Sequence, residues 1–255
     1  MPNVVESFRL NGRVAIVTGA SRGLGAAMAV ALADAGADVA LVARGDTSAV
    51  SRDIAALGRK SVTVAVDIGS AGAAEEIVNQ TVASLGRADI LVNNAGIIRR
   101  ESFLEFSEAD WRDVLNVNLD AAFRLSQQFA RRLVAEKSPG KIIHVTSMLS
   151  FQGGVRVASY TAAKSALNGL TKLMANELAV HGINVNAIAP GYMATDNTSA
   201  LRADAARNAT ILDRIPAGRW GTPEDLAGAV VFLASPASSY MHGFTLAVDG
   251  GWLAR

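Results

Sequence analysis

The stretch RVAIVTGASRGLG, residues Arg13–Gly25, sets the architecture. Its first part, Arg13–Thr18 (RVAIVT), is apolar without in-and-out alternation, the pattern of a strand covered on both faces. It runs directly into Thr18–Gly25 (TGASRGLG), and Gly25–Ala35 (GAAMAVALADA) continues at helical period. Glycines at 19, 23 and 25 let the main chain turn tightly and present free N–H groups at a helix N-terminus, which makes a phosphate cradle. The spacing is G-x3-G-x-G, distinct from the G-x-G-x-x-G of the commoner dinucleotide fingerprint. A tight strand-to-helix turn needs glycine in any case. At the first such junction of an alternating chain, however, the cluster predicts a dinucleotide site.

The alternation continues to the end of the chain. Further strands are expected at Asp38–Ala43, Ser61–Val66, Asp89–Val92, Lys141–Thr146, Ile183–Ile188 and Phe244–Val248, with alanine-rich helical segments such as Ala162–Val180 between them. Strand–helix alternation throughout predicts an α/β fold, a doubly wound parallel sheet with helices on both faces. No repeat, low-complexity tract or Pro/Gly-rich linker divides residues 1–255, so one domain is expected. Residues 190–216 are too long for an ordinary α/β connection and follow a strand directly, which suits a substrate-covering loop or a surface excursion with its own helix.

Composition closes off several functions. The 24 Lys+Arg against 23 Asp+Glu leave a formal charge of +1, so no basic excess recruits nucleic acid. The chain has no cysteine, which excludes disulfides and thiolate metal sites, and no metal is expected. No apolar run approaches the ~18 residues of a membrane span. MPNVVESFRLNGR at the start lacks the basic and apolar regions of a signal peptide, and a soluble cytoplasmic protein is expected. The basic residues divide into 19 Arg and 5 Lys, and there are only 3 Tyr, so a well-placed Lys or Tyr carries more weight than a well-placed Arg.

Ribose specificity is set at the carboxyl end of the second strand, about 20 residues past the glycines. Asp38 opens that strand and lies at its wrong end. The expected acid position holds Ala43, followed by Arg44. Arg44, with Arg22 from the glycine turn, suits a 2′-phosphate and hence NADP, because guanidinium pairs with phosphate in a bidentate way. Asp46 keeps NAD open.

Tyr160 and Lys164, in Ser159–Ser165 (SYTAAKS), stand at i and i+4 on one helix face. A phenol with pKa near ~10 is a poor acid–base catalyst at neutral pH, and a neighbouring ammonium lowers it. Ser147 ends the strand KIIHVTS, where open α/β sheets bind ligands, and its hydroxyl suits a substrate oxygen or a helix cap. Asn118, in a helical pattern that Asn does not favour, points to a polar or helix-bending role. His144, mid-strand between Ile143 and Val145, reads as a core or interface histidine rather than a catalytic one.

Together, Thr18–Gly25 (T-G-x3-G-x-G), Asn93–Gly96 (NNAG), Asn118 in NVNL, Ser147, Tyr160-x3-Lys164, and Pro190-Gly191 followed by Thr195 resemble the short-chain dehydrogenase/reductase family over essentially the whole chain. The resemblance implies a Rossmann-type fold with a seven-stranded parallel sheet, a nicotinamide cofactor, and a homotetramer. By the same resemblance Tyr160 is the general acid in ketone reduction and the base in alcohol oxidation. Lys164 lowers the Tyr160 pKa and binds the nicotinamide ribose, Ser147 orients the substrate oxygen, and Asn118 holds a proton-relaying water. Gly19, Ser21, Arg22, Gly23, Leu24 and Gly25 then surround the pyrophosphate and adenosine side. Asp67 and Ile68 meet the adenine, Asn94, Ala95 and Gly96 the adjoining ribose, and Pro190, Gly191 and Thr195 the nicotinamide.

Within that family, Ile98–Glu101 (IRRE), Leu104–Ser107 (LEFS), Ser147–Gly154 (SMLSFQGG), Asn184–Asn197 (NVNAIAPGYMATDN), Ile211–Gly221 (ILDRIPAGRWG) and Val248–Arg255 (VDGGWLAR) are similar to the 2-dehydro-3-deoxy-D-gluconate 5-dehydrogenases, also called 2-deoxy-D-gluconate 3-dehydrogenases. These use NAD, whereas Ser21-Arg22 and Ala43-Arg44 depart from their pattern, so cofactor choice stays open between NAD and NADP. A sugar acid needs a carboxylate partner, for which Arg99, Arg100 and Arg156 are candidates, with Gln152 for a hydroxyl and Tyr192 and Trp220 as pocket walls. The apolar ending Gly250–Arg255 is expected to be buried at a subunit contact. Two other functions share these residues: an acyl-carrier-protein ketoreductase, and a nucleotide-binding protein without turnover.

Overall fold

The computed structural model describes residues 3–255. Seven strands form: β1 (Val14–Thr18), β2 (Asp38–Val42), β3 (Ser61–Val64), β4 (Ile90–Asn93), β5 (Gly140–Val145), β6 (Ile183–Pro190) and β7 (Thr245–Val248). Nine helices accompany them: α1 (Gly23–Asp34), α2 (Ser48–Ala56), α3 (Ala73–Leu85), α4 (Glu108–Leu115), α5 (Ala121–Ala135), α6 (Ala158–Leu178), α7 (Ser199–Ala203), α8 (Ala205–Arg214) and α9 (Ala227–Ala234). All strands are parallel, in the order β3-β2-β1-β4-β5-β6-β7.

The unbroken apolar runs follow from burial on both faces. In β1, Ala15 and Val17 join α1, α2 and α9 in one core, while Ile16 joins α3, α5 and α6 in the other. The inner strands are therefore apolar at most positions rather than at alternate ones, while the outer strands β3 and β7 are only partly buried. The carboxylate of Asp89, just before β4, is buried at the opposite edge of the sheet from the glycine turn. It accepts from Arg13, Arg87 and the Val14 N–H, at 2.9 Å for Arg13 and for Val14, and so ties β4 to β1.

A third, small core joins Met148, Ile211, Ile215 and Trp252. Residues 190–216 are less irregular than their sequence implies: they contain α7 and α8, which this core seats beside β5 and β6. Trp252 is buried within its own chain, against the ring of Tyr192 (centroids 4.8 Å apart) and under the Arg214 guanidinium at 3.9 Å. The expectation of burial at a subunit contact is thus corrected for this side chain, whose partners are the helices of the excursion.

The strand order reverses between β1 and β4, because the chain winds outward through β2 and β3 and then crosses to the other side. Such a reversal opens a crevice at the carboxyl ends of the two central strands.

Candidate active site

The glycine turn sits at that crevice. Gly19 and Gly23 take φ of +67° and +55°, the left-handed region. A Cβ on Gly25 would lie 2.2 Å from the Gly19 carbonyl oxygen and 2.5 Å from Asn94 Nδ2. The loop after β4 clasps this turn: Asn94 Nδ2 donates to the Thr18 carbonyl at 2.8 Å, and Thr18 Oγ1 accepts from the N–H groups of Asn94 and Ala95, each at 3.0 Å. Asn94 thus spends its amide nitrogen on holding the cradle, which the spacing of the motif did not reveal.

A continuous cleft of about 940 Å³ leads from this cradle. One end is lined by Ser21, Arg22, Leu24, Arg44, Asp67 and Ile68, the middle by Gly19, Gly23, Gly25, Asn94, Ala95 and Gly96, and the other end by Ser147, Tyr160, Lys164, Pro190, Gly191 and Thr195. The length, the absence of Cβ atoms at the cradle and the N-terminus of α1 behind it fit an extended dinucleotide. At the first end Arg44 rests 3.4 Å from Asp67, and Arg22 rests 3.2 Å from Asp196 in residues 190–216, all four side chains largely exposed. Asp46 accepts from the Ser48 N–H and hydroxyl at 2.9 and 2.8 Å, hydrogen bonds that hold its carboxyl below the usual range. Asp38 lies at the far end of β2, paired with Arg59 at 2.7 Å.

At the other end, β5 delivers Ser147 and the first turns of α6 deliver Tyr160 and Lys164. Ser147 Oγ caps a short 3-10 turn by accepting from the Leu149 N–H at 3.2 Å. Lys164 is 3% exposed and its Nζ donates to the Val145 carbonyl at 2.6 Å. That ammonium stands 5.7 Å from the centre of the Tyr160 ring. Burial pulls Lys164 down to about 8 and pushes the Tyr160 phenol up; the Ser147 hydroxyl and then the Arg100 guanidinium pull the phenol back. The opposing influence on the phenol therefore comes from Ser147 and Arg100, where the sequence pointed to Lys164. A phenol, a hydroxyl and a buried ammonium at one cleft end can pass a proton to or from a bound oxygen.

Asn118 lies in a π turn, Asn116–Asp120, between α4 and α5. Both ends of its amide meet Ile97: Oδ1 accepts from the Ile97 N–H at 2.8 Å and Nδ2 donates to the Ile97 carbonyl at 2.9 Å. Asn118 therefore holds the loop after β4, with one amide N–H of its side chain not engaged by these two bonds. Asn116, two residues earlier, was not singled out from sequence. It lines the cleft and donates to the Gly69 carbonyl at 3.2 Å, while Arg124 donates to its Oδ1 at 2.8 Å. The repeated Asn of NVN was the available signal.

The three candidate carboxylate partners separate. Arg99 lines the cleft but is paired with Asp113 and Asp110 at 2.7 and 3.3 Å. Arg156, with a left-handed φ of +64°, pairs with Glu101 at 3.3 Å and accepts from its N–H. Arg100 donates only to the Asn197 carbonyl, at 2.9 Å, and has no carboxylate partner among the described residues. Tyr192 and Trp220 meet edge-to-face at 5.4 Å in the third core, and Trp220 Nε1 donates to Asn208. Like Gln152, Arg100 and Arg156, they stand outside the lining of the cleft, which of the three arginines only Arg99 reaches.

A glycine cradle at the switch point of a parallel sheet, with Tyr-x3-Lys and Ser at the far end of the same cleft, is the arrangement of a hydride-transfer enzyme. A family model described as enoyl-(acyl carrier protein) reductase matches residues 19–253. The chain belongs to the short-chain dehydrogenase/reductase family, and it is an oxidoreductase. It is 55% identical to the 2-dehydro-3-deoxy-D-gluconate 5-dehydrogenase of Escherichia coli, over 99% of this chain and all of that protein, and 54% identical to the protein of the same name in Dickeya dadantii, with the same coverage. A crystal structure from Agrobacterium tumefaciens, provisionally named 2-deoxy-D-gluconate 3-dehydrogenase and holding NADP, is 55% identical with a TM-score of 0.92, covering 98% of this chain and 99% of that one. No helix among the described residues is long and apolar enough to cross a membrane.

Proposed function

We propose that this protein is an NADP-dependent dehydrogenase that interconverts a hydroxyl and a keto group on a deoxy sugar acid of the 2-dehydro-3-deoxy-D-gluconate or 2-deoxy-D-gluconate type. The observation that carries the reading is Arg100: a guanidinium beside the cleft that donates to the Asn197 carbonyl and has no carboxylate partner among the described residues, while Arg99 and Arg156 are paired with carboxylates. A substrate carboxylate is the partner its position and charge call for. The names of the relatives support the same substrate class.

The nicotinamide supplies or accepts the hydride when bound. Tyr160 gives a proton to the carbonyl oxygen in reduction and takes one from the hydroxyl in oxidation. Ser147 orients that oxygen. The buried Lys164 ammonium stands beside the Tyr160 ring at the same cleft end and would bind the nicotinamide ribose. Asn118, through Ile97, fixes the loop that walls the cleft. Arg22 and Arg44 favour NADP by exchanging Asp196 and Asp67 for a 2′-phosphate. Residues 190–216 cover the substrate as part of one domain. A cytoplasmic homotetramer completes the reading, supported by the cysteine-free sequence and by Phe103 and Leu104, which stay 83% and 89% exposed.

A spectrophotometric screen of keto- and deoxy-sugar acids against β-keto thioesters, run with NADPH/NADP and NADH/NAD, tests it. Turnover of the sugar acids is expected. Turnover of the thioesters alone would make the protein an acyl ketoreductase, and cofactor binding without any turnover would make it a nucleotide-binding protein. Arg100→Ala should raise KM for the sugar acid by about 10- to 100-fold, the loss of a charge-assisted contact, with little change toward an uncharged ketone. Arg44→Asp should weaken NADPH binding by about tenfold or more and leave NADH nearly unaffected. Fluorescence titration with each cofactor reads this directly, and equal effects on both would remove the 2′-phosphate assignment.

A further inference from the structure

His144 lies next to the carboxyl end of β5 with no solvent exposure, outside the cleft, and the chemistry above does not use it. Its two ring nitrogens belong to a hydrogen-bond chain whose direction can be worked out. Thr171 Oγ1 donates its single proton to the Leu167 carbonyl at 2.8 Å, so toward His144 Nδ1, 2.9 Å away, it can only accept. Nδ1 therefore carries the ring proton and Nε2 is the bare acceptor. Ser126 Oγ, 3.2 Å from Nε2, donates to it and accepts in turn from Asn93 Nδ2 at 2.9 Å. Only the neutral Nδ1–H imidazole satisfies every partner, and burial, with the charge of Lys164, brings His144 down to about 3.

This chain crosses β4, α5, β5 and α6 directly beneath the reacting groups. Asn93 precedes Asn94, which holds the glycine turn. His144 precedes Val145, whose carbonyl receives Lys164 Nζ at 2.6 Å. Leu167 and Thr171 lie about one and two turns beyond Lys164 on α6. From this juxtaposition we infer that His144 is a positioning residue. It fixes α6 against β5, so that the Lys164 ammonium rests on the Val145 carbonyl and Tyr160 is presented to Ser147. The inference rests on the reading of Tyr160 and Lys164 as the proton-handling pair.

The test is the pH profile of kcat for alcohol oxidation in variants of this chain. Ser147 and then Arg100 bear on the phenol, so a change at His144 reaches the profile through the placement of Tyr160 on α6 against Ser147. His144→Leu removes both links. It should lower kcat by about 10- to 100-fold, the effect of a misplaced catalytic group, and move the alkaline-activated limb upward by about one unit. His144→Asn puts an amide N–H where Nδ1 stood and keeps the bond to α6. It should hold kcat within about threefold of the parent and leave the limb unmoved, because the productive geometry is retained. Thr171→Val breaks the same bond from the other side and should reproduce the leucine phenotype even where His144→Leu fails to fold. A leucine or valine variant with parental kcat and limb, or an asparagine variant as impaired as the leucine one, overturns the inference. Tyr160→Phe is run beside them. Undiminished turnover in that variant overturns the underlying reading; a strongly slowed Tyr160→Phe beside a silent histidine series overturns only the positioning role.

Discussion

Tyr160→Phe is expected to give a folded protein that binds NADPH as the parent does but turns over its sugar acid about 10²- to 10⁴-fold more slowly, the range general acid–base catalysis supplies. The phenol oxygen is the only atom removed. The ring keeps its place on α6, 5.7 Å from Lys164 Nζ, and the glycine cradle is untouched. Cofactor titration and turnover therefore separate cleanly. In the parent, oxidation should accelerate with rising pH, because burial raises the phenol and fewer molecules hold it ionised near neutrality. Phenylalanine has nothing to ionise, so its residual activity should lack that limb. Undiminished turnover in the variant would remove Tyr160 from the mechanism.

Gly25→Ala should damage stability and cofactor binding together. The added Cβ falls 2.2 Å from the Gly19 carbonyl oxygen and 2.5 Å from Asn94 Nδ2, so main chain must move to admit it. The atoms displaced are those that hold the loop after β4 against the turn. Overpacking of this kind costs about 1–3 kcal/mol, which for a chain of this size lowers Tm by roughly 3–10 °C. NADPH affinity should fall by about tenfold or more, since a displaced turn no longer points its N–H groups at phosphate. Calorimetry and fluorescence titration measure the two losses. An alanine variant with parental Tm and affinity would mean that the turn relaxes around the methyl group.

Much of this was legible in the sequence, for a physical reason. Two-sided burial writes the inner strands as largely apolar runs, and the partly buried outer strands β3 and β7 show through their β-branched residues, so all seven are visible with ends displaced by a residue or two. β5 starts at Gly140, not Lys141, and β6 continues to Pro190, paired with Val248 at the end of the sheet. Local spacing likewise placed Tyr160 above Lys164 on one helix and the three glycines around one turn. Partners distant in the chain were not legible. That Arg22 meets Asp196, that Arg99 is neutralised by Asp113 while Arg100 is not, and that Trp252 packs on Tyr192 all depend on how loops return over the sheet. Asn118 and Asn94 stood out by type and order, but the carbonyls that occupy their amides follow from the tertiary fold alone.

The third core gives residues 190–216 a stability of their own. Four buried side chains, Met148, Ile211, Ile215 and Trp252, secure it, against the much larger clusters on the two faces of the sheet. A unit with so little apolar surface opens at a lower free energy than the sheet, so amide protons in α7 and α8 exchange with solvent well before those of β1 or β5. Met148 adjoins Ser147, and each opening therefore loosens the backbone beside a reacting hydroxyl while the two main cores stay closed. Whatever fills the cleft and presses on these helices slows that exchange, which makes deuterium uptake at residues 199–214 a direct reporter of occupancy.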